Sequence, residues 1–295
     1  GRAMIKAGLI GSPIRRSLSP RLFCIFSSLL DETFSYSLLE TRKPEGLEPV
    51  LARIKAMGWR GFNVTLPLKE AVAPLLDALS PEARAIGAVN AVTVKRGRLK
   101  GYNTDAFAVR LALREAGCRP RGRVCTVWGA GGAARAAVWV LARAGATAVS
   151  VRGRSPVRVK ALLRVFSRLF PSVRFTAAAL PGSTVFVNAT PLGMYAPLPP
   201  ALRAGGPPGS FYLDFAYPPL KRTSKRSISP ITPFLEGRRG KTIPGLDLLI
   251  YQALKSAELF GAPDIPTSRF LKLKIKITAE LYGPKGPDAN GSLDS

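Results

Sequence analysis

One stretch of about thirty residues, Val124 to Val151, restricts the fold of this chain more than any other, because it has the length and punctuation of a strand-loop-helix-strand unit. Val124 to Trp128 is a short apolar run suited to a buried strand. Gly129-Ala130-Gly131-Gly132-Ala133-Ala134 follows it and fits the pattern G-x-G-x-x-(G/A). The first glycine permits a tight turn, the second lets backbone approach a pyrophosphate, and the small residue at Ala134 lets helix and strand pack closely. A helix from about Ala133 to Arg143 is ended by Gly145, and Ala148 to Val151 reads as the next strand. The amino terminus of that helix offers free N–H groups to an anion. This context predicts a dinucleotide site in which Gly129, Ala130, Gly131, Gly132 and Ala133 are candidate cofactor contacts.

The end of the following strand selects the cofactor. An NAD site usually carries Asp or Glu there to hold the ribose 2′-hydroxyl. Here the chain reads Val151-Arg152-Gly153-Arg154-Ser155, with Arg158 one turn further on. A carboxylate would repel a 2′-phosphate, whereas guanidinium groups pair with it bidentately. NADP is therefore expected over NAD, with Arg154, Ser155 and Arg158 as candidate contacts. Val185 to Asn188 ends in a loop at a strand's carboxyl end, where open sheets place ligands. That loop adds Thr190, Gly193 and Met194 as cofactor candidates.

The rest of the chain alternates strand and helix. Expected strands are Ile5 to Ile10, Phe34 to Leu39, Gly61 to Leu66, and a hairpin of Ala91 to Lys95 with Leu99 to Tyr102. Ser19 is placed to cap a helix through Leu30, and Leu47 to Met57 has helical spacing. Lys69 is expected on the first turn of a helix running to about Leu79. Asp105 is placed to cap a helix from Phe107 to Ala116. Further on come a helix to Leu169, strands at Thr184 to Asn188 and Phe211 to Phe215, and a helix from Leu246 to Phe260. Phe270 to Tyr282 suits a last helix, although Lys272 to Ile277 alternates like a strand. Residues 197–208 read as surface loop, and residues 283–295 as a disordered tail. The expected class is α/β: an N-terminal mixed-sheet substrate domain plus a Rossmann-like dinucleotide-binding domain, with a cleft between them. The division is 4–105 completed by 246–282, and 106–245.

Composition removes several chemistries. The chain has no histidine, so Ser-His-Asp catalysis and zinc-histidine sites are out and proton transfer falls to Lys, Tyr, Asp or Glu. Cys24, Cys118 and Cys125 have no metal spacing, no metal site is expected, and an odd, sparse count favours reduced thiols in a cytoplasmic protein. No secretory hydrophobic region opens the chain, the three residues before Met4 read as an artificial extension, and no apolar stretch is long enough for a bilayer. The 295 residues carry 44 Lys and Arg against 18 Asp and Glu, a net charge of +26. Such a field attracts anions of any kind. Its clusters, such as residues 221–226 and 269–276, lack the aromatic interleaving of a nucleic-acid module, so nucleic acid is not the expected partner. The charge sign makes the few carboxylates at special places, Asp105 above all, stand out.

Several phrases in fixed order carry a family resemblance. They are Ser17-Leu18-Ser19-Pro20, Asn63-Val64-Thr65 with Pro67 and Lys69, Gly87-Ala88-Val89-Asn90, and Gly101-Tyr102-Asn103-Thr104-Asp105. The glycine loop, Asn188 to Met194, Asp214-Phe215-Ala216-Tyr217 and Gly245 to Gln252 complete the set. From about Ile5 to Gly261 the chain resembles the shikimate dehydrogenase family, NADP-dependent oxidoreductases of aromatic amino-acid biosynthesis. The resemblance implies that Lys69 and Asp105 are the catalytic pair, and that Ser17, Ser19, Asn63, Thr65, Asn90, Tyr217 and Gln252 hold the substrate, with Gly245 beside the cofactor. Shikimate has one carboxylate and three hydroxyls, and hydroxyl and amide side chains both donate and accept. Ser17, Ser19 and Tyr217 suit the carboxylate; Lys69, Asn90 and Asp105 suit the reacting hydroxyl. On Lys69, desolvation and a neighbouring carboxylate would act in opposite directions. The expected partner is this small molecule, with the chain a monomer or homodimer.

The chain departs from the family pattern at Ala91 (usually Thr), Phe23 (often His), Gly153 (often Asn) and Leu248 (often Met), and in a basic stretch after Tyr217. Two other readings stay open here. One is a quinate/shikimate dehydrogenase using NAD, which the missing acid opposes. The other, motivated by charge, is a nucleic-acid-binding protein on a dehydrogenase scaffold, which the intact Lys69 and Asp105 oppose.

Overall fold

The computed structural model describes residues 3–193, 206–217 and 240–282. The expected loop at 197–208 is therefore covered only from Gly206, and the basic stretch after Tyr217, the tail at 283–295 and Met194 lie outside the described residues.

Two six-stranded sheets carry the described chain. The first is built from β1 (Ile5–Gly11), β2 (Phe34–Glu40), β3 (Gly61–Val64), β4 (Ala78–Leu79), β5 (Ala91–Lys95) and β6 (Arg98–Tyr102), in the order β2-β1-β3-β5-β6-β4. It is mixed: β2, β1 and β3 run parallel, β5 is antiparallel to both β3 and β6, and β4 runs parallel to β6. The second contains β7 (Val124–Trp128), β8 (Ala148–Arg152), β9 (Arg174–Thr176), β10 (Ser183–Asn188), β11 (Phe211–Asp214) and β12 (Lys241–Ile243). Its order is β12-β11-β10-β7-β8-β9 and every pairing is parallel. The α/β class and the mixed and Rossmann-like sheets are as expected.

The helices are α1 (Ser19–Leu30), α2 (Leu47–Ala56), α3 (Pro81–Ile86), α4 (Thr104–Glu115), α5 (Gly132–Arg143), α6 (Pro156–Leu169), α7 (Gly245–Phe260) and α8 (Thr267–Tyr282). Helix α4 leads from the first sheet to the second and α7 leads back, and the two pack on each other. One continuous apolar core joins Phe23 and Phe26 of α1, Val109 of α4, Leu141 of α5 and Leu254 of α7. Among the described residues, no helix is long and apolar enough to cross a membrane, and the three cysteines are unpaired.

Register decides where chemistry collects. Trp128 pairs with both Asn188 and Arg152, so the glycine loop, the Asn188 loop and the arginine segment all leave the second sheet at one end. In the first sheet Leu9 pairs with Asn63, and Asn63 with Ala91, which brings Asn63 beside Asn90.

Three local expectations are corrected, and the helix expected at the carboxyl end is borne out against its strand-like alternation. The helix expected from Lys69 to Leu79 is a run of turns with one 3-10 turn at Ala73–Leu75, followed by β4. Pro74 would fall inside that helix, where it lacks an N–H and clashes with the preceding turn. Helix α4 starts at Thr104, not Phe107, and its cap is Asn103, whose side chain accepts from Ala106 N; Asp105 lies in the first turn and is freed for other work. Ser19 begins α1 and is not its cap; its N–H is taken by the Ser17 hydroxyl at 3.2 Å. Residues 272–277 are helical, because Phe270, Leu273, Ile277 and Leu281 form a buried stripe at helical spacing that outweighs the local alternation. Strands β9 and β12, three residues each, carry too little pattern to be read in advance.

Candidate active site

Lys69 and Asp105, 36 residues apart in sequence, meet with the lysine Nζ donating to Asp105 Oδ2 at 2.5 Å. Their side chains are 17% and 7% exposed, so the pair is partly shielded from water. The Lys69 backbone is held by Val89, whose N–H donates to Lys69 O at 2.7 Å. Asp105 is oriented from its other side: Asn90 Nδ2 donates to Oδ1 at 2.9 Å. Asn90 is locked in turn, donating to Thr104 Oγ1 at 3.0 Å and accepting the Thr104 N–H at 2.6 Å. The N-terminal turn of α4 is thus clamped to the sheet through one amide side chain.

The pair opens into a cavity of about 210 Å³ between the two sheets. All nine catalytic and substrate candidates line it: Lys69 and Asp105 with Ser17, Ser19, Asn63, Thr65, Asn90, Tyr217 and Gln252. They come from the loop after β1 and the start of α1, from β3 and its following loop, from the residue before β5, from α4, from the segment after β11 and from α7. Polar atoms there are unequally available. Asn63 Oδ1 accepts from Tyr36 at 2.9 Å, and its amide donates to Asn90 O at 3.1 Å and Ser256 Oγ at 2.8 Å. Both Asn63 hydrogens are therefore in use, leaving only acceptor capacity for a ligand. Burial pushes the Tyr36 phenol far above its ordinary range against a weaker lowering by Ser19, so Tyr36 stays a neutral donor. The Ser17 hydroxyl donates to Ser19 Oγ at 3.1 Å, and Gln252 Nε2 donates to Leu249 O at 2.8 Å.

The cofactor candidates divide into two groups. Ala133, Thr190 and Gly245 line the same cavity as the substrate candidates. Gly129, Ala130, Gly131, Gly132, Arg154, Ser155, Arg158 and Gly193 do not line it; the glycines and arginines lie at the adjoining carboxyl end of the second sheet. The fit to a dinucleotide is direct. Gly129 has φ +118, and a Cβ there would lie 2.6 Å from Ala189 O, so only glycine suits the turn. Gly131 is the N-cap of α5 and no side chain caps that end, leaving its N–H groups for an anion. Ser155 caps α6 by accepting from Arg158 N at 3.4 Å. Thr190 is fixed by donating its hydroxyl to Asn188 Oδ1 at 2.6 Å, while Asn188 donates to Asp214 Oδ1 at 2.9 Å.

Four residues of the site carry no sequence signal of their role: Tyr36, Thr104, Ser256 and Glu70. Thr104 stands within a motif phrase, yet the phrase assigns it nothing. Tyr36 and Ser256 reach Asn63 from β2 and α7, and no local pattern reports such contacts. Glu70 follows Lys69 directly and pairs with Arg158 and Arg135 from the far side of the cleft.

The profile of the shikimate dehydrogenase substrate binding domain matches residues 9–92. A shikimate dehydrogenase (NADP(+)) of Moorella thermoacetica is 35% identical, covering 88% of this chain and 89% of its own length. A protein of the same name from Rubrobacter xylanophilus is 38% identical, covering 89% and 93%. Among solved structures, shikimate 5-dehydrogenase of Thermus thermophilus, in complex with NADP(H) and shikimate, is similar with a TM-score of 0.75. It is 32% identical and the alignment covers 93% of this chain and 100% of that one.

Proposed function

The chain belongs to the shikimate dehydrogenase family, and from that premise we propose that Lys69 and Asp105 perform the proton transfer of its reaction. The protein is an NADP-dependent oxidoreductase that interconverts 3-dehydroshikimate and shikimate. The nicotinamide supplies or accepts the hydride. The residues of this chain do the rest. In the reductive direction the Lys69 ammonium donates a proton to the oxygen on C3 as that carbon is reduced, and the oxygen becomes the hydroxyl. In the oxidative direction the lysine, as free amine, accepts that proton. Asp105 aims the amine and balances its charge, with its own carboxylate turned by Asn90.

The observation that carries this reading is the 2.5 Å contact of Lys69 with Asp105 at a cavity lined by hydroxyl and amide groups. Ser17, Ser19 and Tyr217 are assigned to the substrate carboxylate, with Thr65 and Gln252 to ring hydroxyls. A site built to hydrogen-bond hydroxyls rejects analogues that lack them. The cofactor phosphates are assigned to the α5 amino terminus and to Arg154 and Arg158, with Thr190 and Gly245 nearer the nicotinamide. Residues 4–105 with 246–282 then form the substrate domain, and 106–245 the cofactor domain. A cytoplasmic site fits three unpaired thiols.

Lys69→Ala is the direct test, read by absorbance of the reduced nicotinamide with shikimate and NADP. Turnover should fall about 10²- to 10⁴-fold, the scale of lost acid-base catalysis. Stability should fall by about 1–3 kcal/mol, since Asp105 loses its partner while largely buried, so turnover is compared on protein shown to be folded. Near-normal turnover would remove Lys69 from the chemistry.

A further inference from the structure

Glu70 lies on the substrate side of the cleft, one residue beyond Lys69, yet its carboxylate faces the other side. Its Oε1 accepts from the Arg158 guanidinium of α6, and its Oε2 lies 4.0 Å from Arg135 Nη1 of α5. The two arginines differ in freedom. Arg135 is 8% exposed and is pinned by donating from Nε to Ile86 O at 2.7 Å. Arg158 has a side chain 55% exposed, and its guanidinium reaches over the glycine loop, 3.7 Å from where a Cβ on Gly131 would lie. The guanidinium assigned to cofactor phosphate is therefore held by a carboxylate of the substrate domain, at the edge of the phosphate cradle.

We propose that Glu70 is a specificity-determining residue, competing with the 2′-phosphate of NADP(H) for the Arg158 guanidinium. This rests on the assignment of Arg158 to the cofactor phosphate. A guanidinium fork satisfies a carboxylate or a phosphate with the same paired N–H groups, so the two anions are alternatives at one group. A 2′-phosphate must draw Arg158 from Glu70 and lie near its negative charge. A cofactor without that phosphate leaves the ion pair intact. Glu70 thus selectively weakens NADP(H) and narrows its margin over NAD(H). When Arg158 leaves, Glu70 still faces Arg135, so the turn carrying Lys69 remains attached across the cleft.

The test is equilibrium binding of 2′,5′-ADP and 5′-AMP, which isolate the 2′-phosphate from the chemistry, at low ionic strength. Glu70→Gln should tighten 2′,5′-ADP about two- to fivefold, the scale of a partly exposed ion pair, and leave 5′-AMP unchanged. In an Arg158→Ala background the same change should tighten 2′,5′-ADP clearly less, because only the direct repulsion by Glu70 is then removed. Unchanged or weaker 2′,5′-ADP binding by Glu70→Gln, or equal tightening of 5′-AMP, overturns the competition. Arg158→Ala alone separates the two claims. Should it bind 2′,5′-ADP as tightly as the parent, the phosphate assignment of Arg158 fails; should it bind more weakly while Glu70→Gln is neutral, only the competition fails.

Discussion

Gly132, the first residue of α5, packs against Lys69 so closely that an added Cβ would lie 2.7 Å from the Lys69 Cβ and 2.9 Å from its Cδ. On the proposed assignment the glycine loop serves two partners: its backbone is given to the cofactor phosphates, and Gly132 makes room for the Lys69 side chain. Gly132→Ala should push Lys69 off Asp105. Misplacement of a reacting group by about 1 Å costs on the order of 10²-fold, so kcat should fall at least about tenfold. The loss should persist at saturating NADPH, measured by steady-state kinetics in both substrates. Full recovery at high cofactor would mean that Gly132 matters only for phosphate binding.

Asn90 is expected to act through Asp105. The family resemblance makes it a substrate contact, but its amide and carbonyl are committed to Asp105 and Thr104. Asn90→Ala leaves the buried Thr104 N–H without its acceptor, a cost of about 1–3 kcal/mol that a denaturant titration would read. Kinetically, kcat should drop about tenfold or more while KM for shikimate changes less. A raised KM with unchanged kcat would restore the direct-contact reading.

Stability at high pH is expected to depend on α8. Lys274 donates to Asp247 Oδ2 at 2.9 Å and to Glu115 Oε2 at 3.3 Å, and the Tyr251 hydroxyl also donates to Glu115, which ties α8 to α7 and α4. Burial alone would lower the lysine, but the two carboxylates outweigh it and its ammonium is held to higher pH than usual. Burial and the adjacent Glu115 also raise the Tyr251 phenol well above its ordinary range. Burial outweighs Lys274 at Asp247, whose carboxyl is raised as well, so the gain from this cluster sits on the ammonium and the phenol. Both groups have folded pKa values above their unfolded ones. Their contribution is complete below about pH 10, the ordinary lysine and tyrosine range, and is lost as pH rises beyond it. Lys274→Met should destabilise the protein by about 1–3 kcal/mol at pH 7, between the values for exposed and buried pairs, and should flatten the alkaline fall in Tm. An unchanged alkaline profile in the variant would remove Lys274 as its cause.

Much of the site is legible in the sequence because backbone demands are written in residue type. The turn at Gly129 needs positive φ, and α5 needs an uncapped amino terminus, so a strand followed by small residues announces both. The missing acid after β8 is equally local. The misreadings have a common cause. Residues 69–79 have helical spacing, which makes Lys69 read as helical, yet Pro74 interrupts them and β4 pairs with β6 instead. Asp105 reads as a cap because it precedes an apolar run, yet Asn103 performs that role two residues earlier.

By itself, then, the order of residues determined the α/β class, the glycine turn before α5 and which side chains gather at the cavity, since each follows from periodicity, turn chemistry or a spaced phrase. Which atoms of those side chains remain free was decided only by the folded chain. The commitments of Asn63 to Tyr36 and Ser256, of Asn90 to Asp105, and of Glu70 to Arg158 are contacts between distant segments. They depend on strand register and on how the two sheets meet, and hydrogen bonds are directional at the scale of tenths of an ångström, far finer than any pattern of residue types along the chain.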